Sequence, residues 1–335
     1  MEILPHFHVL TPTTIPTAVA ASRQHHASRF VAGGTDLMVN LRHGLGDPHG
    51  PGDWALIDLR GIPELRQMSI GPDGLMIGAA VTLAELAGHA AVAACYPAVA
   101  AAAASVGAPT HRHAATVGGN LCLDTRCVFY NRSAWWREAN GFCLKHQGDV
   151  CHVAPTGARC HAAFSGDLAP ALLVHAAAVE VAGPDGVRRQ PLDALYAEDG
   201  AAHLRLSPGE FLVRVMLPAG PWPAAYAKAR ARGAIDFPLA GVAVALRADA
   251  RGVAGLRVAL TGTNARPFLL EGTDTLVGAP VDAPWLDRLG KLVQKQVSPM
   301  RTTLLAAQYR RRVAAALAQR LAGALSGADL HERAA

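Results

Sequence analysis

Hydrophobic and polar positions change their period repeatedly along this chain, and the changes predict a mixture of short strands and helices. His8-Val9-Leu10 is an extended piece, closed by Thr11-Pro12-Thr13-Thr14-Ile15-Pro16 and followed by a helix over about residues 17–23. Arg29-Phe30-Val31-Ala32 is a short apolar strand that runs straight into Gly33-Gly34-Thr35-Asp36, after which Leu37, Leu41 and Leu45 recur at helical spacing. Residues 55–59 and 75–78 are predicted strands, with Pro72-Asp73-Gly74 as a hairpin turn between them. Thr82 with Glu85 makes a capping box for the helix that follows. The run from 86 to 108 is mostly alanine and is broken by His89, Pro97 and Ser105, so it predicts buried helices and not a membrane span. Asp167-Leu168-Ala169-Pro170-Ala171-Leu172 then leads to a strand at 178–181, closed by Gly183-Pro184-Asp185-Gly186.

Leu217-Pro218-Ala219-Gly220-Pro221-Trp222-Pro223 can be neither helix nor central strand, and it is taken as a boundary between domains at 1–220 and 221–330. The second part carries strands at 226–230, 240–247 and 256–261 and helices at 283–296 and 302–322. In the last helix Leu305, Tyr309, Val313, Leu317 and Leu321 form one stripe, which puts Arg310, Arg311 and Arg312 on a solvated side. The fold class expected is α+β, with a three-stranded sheet and helices in the second domain.

Composition narrows the partners. With 335 residues, 51% of them hydrophobic and 17% charged, the chain is long enough for two or three domains with substantial cores. The net charge is +5, yet no run of four Lys or Arg joins a row of stacking aromatics, so neither nucleic acid nor a membrane is expected as a partner. Residues 1–20 hold no basic segment followed by an unbroken apolar one, so a reducing cytoplasm is the expected compartment.

Two glycine turns carry the first candidate chemistry. Gly33-Gly34-Thr35-Asp36 lies between a strand and a helix, and Thr116-Val117-Gly118-Gly119-Asn120 repeats the same residue types. Such turns bring backbone N–H groups and a helix N-terminus to one spot, which suits a pyrophosphate. Neither is a dinucleotide-binding fingerprint. The nearest match, Gly50-Pro51-Gly52-Asp53-Trp54-Ala55, precedes a strand instead of following one and is expected to be a loop.

The second candidate is the cysteine-rich stretch, which holds five of the six cysteines between residues 116 and 167. Cys127, Cys143, Cys151 and Cys160 are interleaved with aromatic and charged residues that cannot easily bury themselves without a cross-link. Disulfides, a zinc ion or an iron–sulfur cluster would each supply one. A reducing compartment disfavours the first, and the loose spacing suits the close cysteine pairs of structural zinc less well than it suits a cluster. Cys95, in an apolar stretch, is expected in the core.

Taken together, the motif Ala32-Gly33-Gly34-Thr35-Asp36-Leu37, the turn 116–120, Asp167-Leu168-Ala169-Pro170-Ala171-Leu172, Asp236-Phe237-Pro238-Leu239-Ala240-Gly241-Val242 and Tyr309-Arg310-Arg311-Arg312 resemble the flavin subunits of the molybdenum hydroxylases, over nearly the whole chain. The resemblance implies an FAD-binding domain of the PCMH type, an FAD contacted by Phe30, Val31, Ala32, Gly33, Gly34, Thr35, Asp36, Leu37, Val106, Thr116, Val117, Gly118, Gly119, Asn120, Asp167 and Lys228, and no catalytic residue on this chain. Ordinary members lack the cysteine-bearing insert at about 122–162. One branch has a similar insert, and it implies a [4Fe–4S] cluster on Cys127, Cys143, Cys151 and Cys160, with Cys122 spare. It further implies electron transfer to a molybdenum-cofactor large subunit and a [2Fe–2S] small subunit, in a dimer of heterotrimers, with ferredoxin as donor for reductive removal of a phenolic hydroxyl from an aryl-CoA ester. An oxidative hydroxylase with an extra cluster, or a zinc-stabilised interaction module, would be the other readings.

Overall fold

The computed structural model describes residues 4, 6–25, 27–45 and 54–327. The turn expected at Gly50 to Asp53 and the last residues of the second expected domain lie outside the described residues. Its three sheets confirm the α+β class.

The first sheet is small and parallel, in the order β1 (Phe7–Leu10), β3 (Trp54–Asp58), β2 (Ser28–Val31). Val31 stands level with Asp58. The chain therefore leaves β2 at the carboxyl end of the strands, where open α/β sheets receive ligands, and turns through Gly33-Gly34 into α2 (Leu37–Arg42). Gly34 takes a left-handed φ of 67°, which a side chain would strain. The predicted helical run of Leu37, Leu41 and Leu45 stops early: α2 ends at Arg42, and Leu45 instead packs among Cys127, Cys143 and Cys160. α1 (Ile15–Gln24) begins at a capping box between Thr14 and Thr17.

The second sheet is antiparallel, β4 (Met68–Gly71), β5 (Gly74–Gly78), β8 (Phe211–Leu217), β6 (Ala178–Gly183), β7 (Gly186–Pro191). Here the sequence reading is corrected, because the turn at Pro72 to Gly74 joins β5 to β4 and not to β3. β3 belongs to the other sheet. The central strand β8 was not read at all: Phe211-Leu212-Val213 is buried throughout, so it lacks the period-2 alternation by which a strand is recognised. The alanine-rich run forms α3 (Leu83–Gly88), α4 (Ala90–Cys95) and α5 (Pro97–Ser105) as expected. The Thr82–Glu85 capping box is present, with the Glu85 carboxylate accepting from the Thr82 N–H at 2.8 Å. α6 (Pro109–Ala114), α7 (Val117–Leu121), α8 (Ala134–Ala139) and α9 (Leu168–Leu173) are short helices between the two glycine turns, the insert and β6. Cys95 is exposed, at the end of α4, and not in the core.

The third sheet is β12 (Phe268–Leu269), β11 (Gly252–Thr261), β10 (Ala240–Asp249), β9 (Ala224–Ala229), four strands where three were expected. α10 (Ala283–Gln296) and α11 (Ala307–Ser326) pack on it around the buried Trp285, Leu289 and Leu317. α11 starts later than predicted, and its stripe is only partly real: Leu305 and Tyr309 are exposed, Val313 is half-buried, and only Leu317 and Leu321 are buried. Arg310 contradicts the solvated reading. It is fully buried, donating to the carbonyls of Leu239 (3.0 Å), Met300 (2.8 Å) and Gly262 and to the Thr302 hydroxyl (3.0 Å). Burial pulls its pKa down to about 10, so it enters the core still charged at neutral pH.

Replacing Arg310 with Met leaves two buried carbonyls, those of Leu239 and Gly262, without a donor, each costing roughly 1–3 kcal/mol, while the Met300 carbonyl keeps the Thr302 N–H at 2.7 Å. Chemical denaturation of Arg310→Met should therefore show a loss of at least about 2 kcal/mol, whereas Arg311→Met should lie close to the unsubstituted protein. Equal stability of the two variants would remove Arg310 from this role.

Candidate functional site

The two glycine turns come together because Gly33 has no side chain. A Cβ there would sit 1.9 Å from the Ala114 carbonyl oxygen, two residues before Thr116. Similar in composition, the turns differ in what they leave free. In the second, Val117 N–H donates to Val81 (2.9 Å), Gly118 N–H to Ala79 (2.8 Å), Gly119 N–H to the Thr116 hydroxyl (3.1 Å) and Asn120 N–H to the Thr116 carbonyl (2.9 Å). In the first, the N–H groups of Gly33, Gly34, Thr35 and Asp36 have no acceptor among the described residues. The first turn is thus an unsatisfied donor set at a helix start, open to an anion. The second is a rigid wall whose exposed residue is Gly119, where an added Cβ would meet only Thr116 Oγ1, at 3.1 Å.

Side chains expected to help are mostly committed elsewhere. Thr116 is buried and caps Gly119, and Asn120 Oδ1 accepts the Leu168 N–H at 3.0 Å. Phe30 stacks on Phe211 with ring centroids 4.7 Å apart, while Val31 and Leu37 pack against the small core of Leu41, Trp54 and Leu56. Ala32 continues β2 into the turn, and Val106 ends α5 with its carbonyl accepting from Arg112 at 2.9 Å. Thr35 alone presents an exposed hydroxyl. The Asp36 carboxylate turns away toward the insert, where it takes the Arg126 guanidinium and, at 3.1 Å, the Asp124 N–H.

Asp167 does not cap α9, the simpler role open to it. Its carboxylate accepts from the Tyr226 hydroxyl at 2.6 Å and the Lys228 ammonium at 3.1 Å, and Lys228 also reaches the Asp236 carbonyl at 3.3 Å. The two charged side chains are only 3% and 5% exposed, so this is a buried ion pair. Burial pushes the Asp167 carboxyl up and the Lys228 ammonium down, and each charge is the main compensation for the other. Tyr226 was missed by sequence reasoning. Strand alternation could have found it, since residues two apart on β9 share a face.

Cys127, Cys143, Cys151 and Cys160 are all buried, and all four line one cavity. None is in a disulfide. Among the described residues no three Cys, His, Asp or Glu side chains are placed to hold a single metal ion. One backbone N–H donates to a sulfur, that of Ala162 to Cys160 at 3.4 Å, while the Tyr130 N–H is taken by the Cys127 carbonyl at 3.0 Å. A buried sulfur with an N–H donor suits a thiolate ligand, whereas burial alone pushes the Cys160 thiol up to about 11. Cys122 lies outside this cavity, beside the main core, with its thiol pushed up to about 12 by burial. The insert is held by Arg137, which donates to the carbonyls of Arg132 and His43, and by non-glycine turns with positive φ at Phe142 (55°) and Gln147 (58°) on either side of Cys143.

Residues 5–220 match a family described as the FAD binding domain in molybdopterin dehydrogenase, and residues 224–325 match the CO dehydrogenase flavoprotein C-terminal domain. The aldehyde oxidoreductase FAD-binding subunit PaoB of Escherichia coli K12 is 31% identical over 273 residues, covering 77% of this chain and 82% of that one. The xanthine dehydrogenase FAD-binding subunit of Escherichia coli O157:H7 is 26% identical over 89% of this chain and 88% of its own length. The carbon monoxide dehydrogenase medium chain of Afipia carboxidovorans is 26% identical over 92% and 93%. In fold, the chain matches a Cu,Mo-CO dehydrogenase chain with a TM-score of 0.78 at 24% identity, over 97% of this chain and 100% of that one.

Lys228→Met should cost about 3–5 kcal/mol, because it leaves the Asp167 charge buried without its cation. The sign of the pH dependence follows. A carboxyl whose pKa is raised in the folded state takes up protons on folding, so the deficit of the variant should shrink as the pH falls toward the acid range. Urea titrations at several pH values measure both. A deficit that is small, or that grows on acidification, would contradict the buried pair.

Proposed function

The chain belongs to the FAD-binding medium subunits of the molybdenum hydroxylases, the family of the xanthine, aldehyde and carbon monoxide dehydrogenases, and we propose that it is an electron-transfer subunit bearing one FAD and one [4Fe–4S] cluster. For the flavin, the support is the pair of turns: Gly33 to Asp36 offer free N–H donors to the pyrophosphate, and bare Gly119 lets it approach the wall formed by Thr116 to Asn120. Asp167, held by Tyr226 and Lys228, supplies a fixed polar group behind the second turn, because Asn120 ties α7 to α9. Bound FAD exchanges one or two electrons, which suits a station between one-electron carriers. This chain's own part is to bind, to orient and to keep water from the cofactors.

The observation that carries the cluster is the convergence of four buried cysteines, none of them in a disulfide, on one cavity, with the Ala162 N–H donating to the Cys160 sulfur at 3.4 Å. On this reading Cys127, Cys143, Cys151 and Cys160 are the ligands and Cys122 is not. The catalytic molybdenum and a [2Fe–2S] centre sit on a large and a small partner subunit, in a cytoplasmic dimer of heterotrimers. Two readings of the whole enzyme follow. The insert favours one like 4-hydroxybenzoyl-CoA reductase, in which ferredoxin drives reductive removal of the phenolic hydroxyl to give benzoyl-CoA. The names of the relatives that match most of the chain favour a dehydrogenase acting on a xanthine-like or aldehyde substrate. Turnover of 4-hydroxybenzoyl-CoA by the purified three-subunit enzyme with a low-potential donor, and no oxidation of xanthine or aldehydes, is the outcome expected; the reverse pattern would establish the second reading.

The two cofactors should be separable by substitution. Gly119→Val should lose FAD while iron stays near four per chain, since the added side chain occupies the wall's open surface. Serine at any of the four cavity cysteines should abolish or alter the cluster while FAD stays bound, and Cys122→Ser should leave iron unchanged. Visible spectra with iron and flavin analysis, after anaerobic purification, give the readout. One zinc and no iron, or loss of iron on changing Cys122 but not Cys127, would overturn the ligand assignment.

A further inference from the structure

Beside the four sulfurs stands one lysine whose place is fully specified. Lys145 lines the cysteine cavity, and its side chain is only 6% exposed. An ammonium has three N–H donors, and here they meet Asp124 Oδ1 at 2.6 Å, the Thr125 hydroxyl at 2.5 Å and the Thr125 carbonyl at 3.2 Å. The Tyr130 ring faces it with its centroid 4.2 Å from Nζ. Asp124 is positioned in turn from the first glycine turn, through its N–H to Asp36.

We propose that Lys145 sets the reduction potential of the cluster on Cys127, Cys143, Cys151 and Cys160, with Asp124 as the counter-ion that positions it; this rests on the cluster reading given above. Reduction adds one negative charge to a centre already carrying four thiolates. A fixed, nearly buried cation at the wall of the cavity therefore stabilises the reduced form more than the oxidised one and raises the potential. The Asp124 carboxylate, farther from the sulfurs and more exposed, acts with the opposite sign. Opposed effects from two bonded partners are the signature of a field, because a merely structural pair would lose cluster or stability in the same direction from either side.

The test is an EPR-monitored potentiometric titration of the cluster in the assembled enzyme. Lys145→Met should shift the midpoint to more negative values, by at least a tenfold change in the reduced-to-oxidised ratio at fixed ambient potential, about 59 mV for a one-electron couple. Lys145→Arg should restore most of the shift, and Asp124→Asn should move the midpoint the other way, with iron and FAD contents unchanged. An unaltered midpoint in Lys145→Met with four irons per chain would overturn the proposal. If Lys145→Met fails to hold iron, Asp124→Asn decides alone: a rise supports the proposal, and a fall or no change overturns it. Absence of iron from the unsubstituted enzyme would instead refute the cluster itself, a result distinct from any of these.

Discussion

The closest constraint in the molecule is the contact of Gly33 with the Ala114 carbonyl, where a single added carbon would have to lie 1.9 Å from oxygen. It joins the end of a parallel strand in one sheet to the entrance of the second turn, which is itself fastened to residues 79–82 at the edge of another sheet. The two sheets also share a small core, in which Phe30 and Ile57 of the first pack with Ala182, Phe211 and Val213 of the second. With the two turns locked, the donors at Gly33 to Asp36 and the wall at Thr116 to Asn120 keep a fixed separation. A ligand that touches both then meets a site formed before it arrives, with little ordering entropy left to lose.

From this joint the cysteine-bearing insert hangs by charged side chains more than by strands. Asp36 holds Arg126 and the Asp124 N–H, Arg137 reaches the His43 carbonyl at 2.5 Å, and Val128 N–H donates to the Thr302 carbonyl at 3.0 Å. Arg310 fixes Thr302 from the far side. Buried guanidinium groups are suited to such work, since one group presents five donors in a rigid plane and can satisfy several carbonyls of irregular chain at once. The insert thereby touches both the first turn and the C-terminal domain, although it contributes only one short helix of its own.

Legibility in the sequence followed how local the determining physics is. The capping box at Thr82 and Glu85, the bounds of α10 and the glycine turns rest on contacts within a few residues, and they could be read directly. β8 was lost because a strand covered on both faces has no alternation, and the β4–β5 hairpin was mispaired because Met68-Ser69-Ile70 is too short to stand out. Arg310 was misplaced for a related reason. A helical wheel assumes that the apolar stripe faces the core, yet α11 buries alanines at 314, 315, 318 and 322, and its buried face begins with an arginine whose carbonyl partners lie 10 to 71 residues away. The four-cysteine set was visible as a spacing, and the fold adds what spacing could not, the shared cavity and the Ala162 N–H at the Cys160 sulfur.

The two turns show how like sequences acquire unlike roles. Thr116-Val117-Gly118-Gly119 spends its N–H groups on Val81, Ala79 and its own threonine, because Val117 and Gly118 are pressed onto β5's exit and must be satisfied there. Gly33-Gly34-Thr35 stands past the last rung of a three-stranded sheet, with no chain opposite it to accept. Sequence similarity between the turns therefore says only that both need bare backbone. Which one donates and which one merely permits approach is decided by the neighbours that the sheets bring alongside. The polar route from the donating turn runs through Asp36 and Asp124 to Lys145 at the cysteine cavity, so the residue that fixes one candidate cofactor site also fixes the charge beside the other.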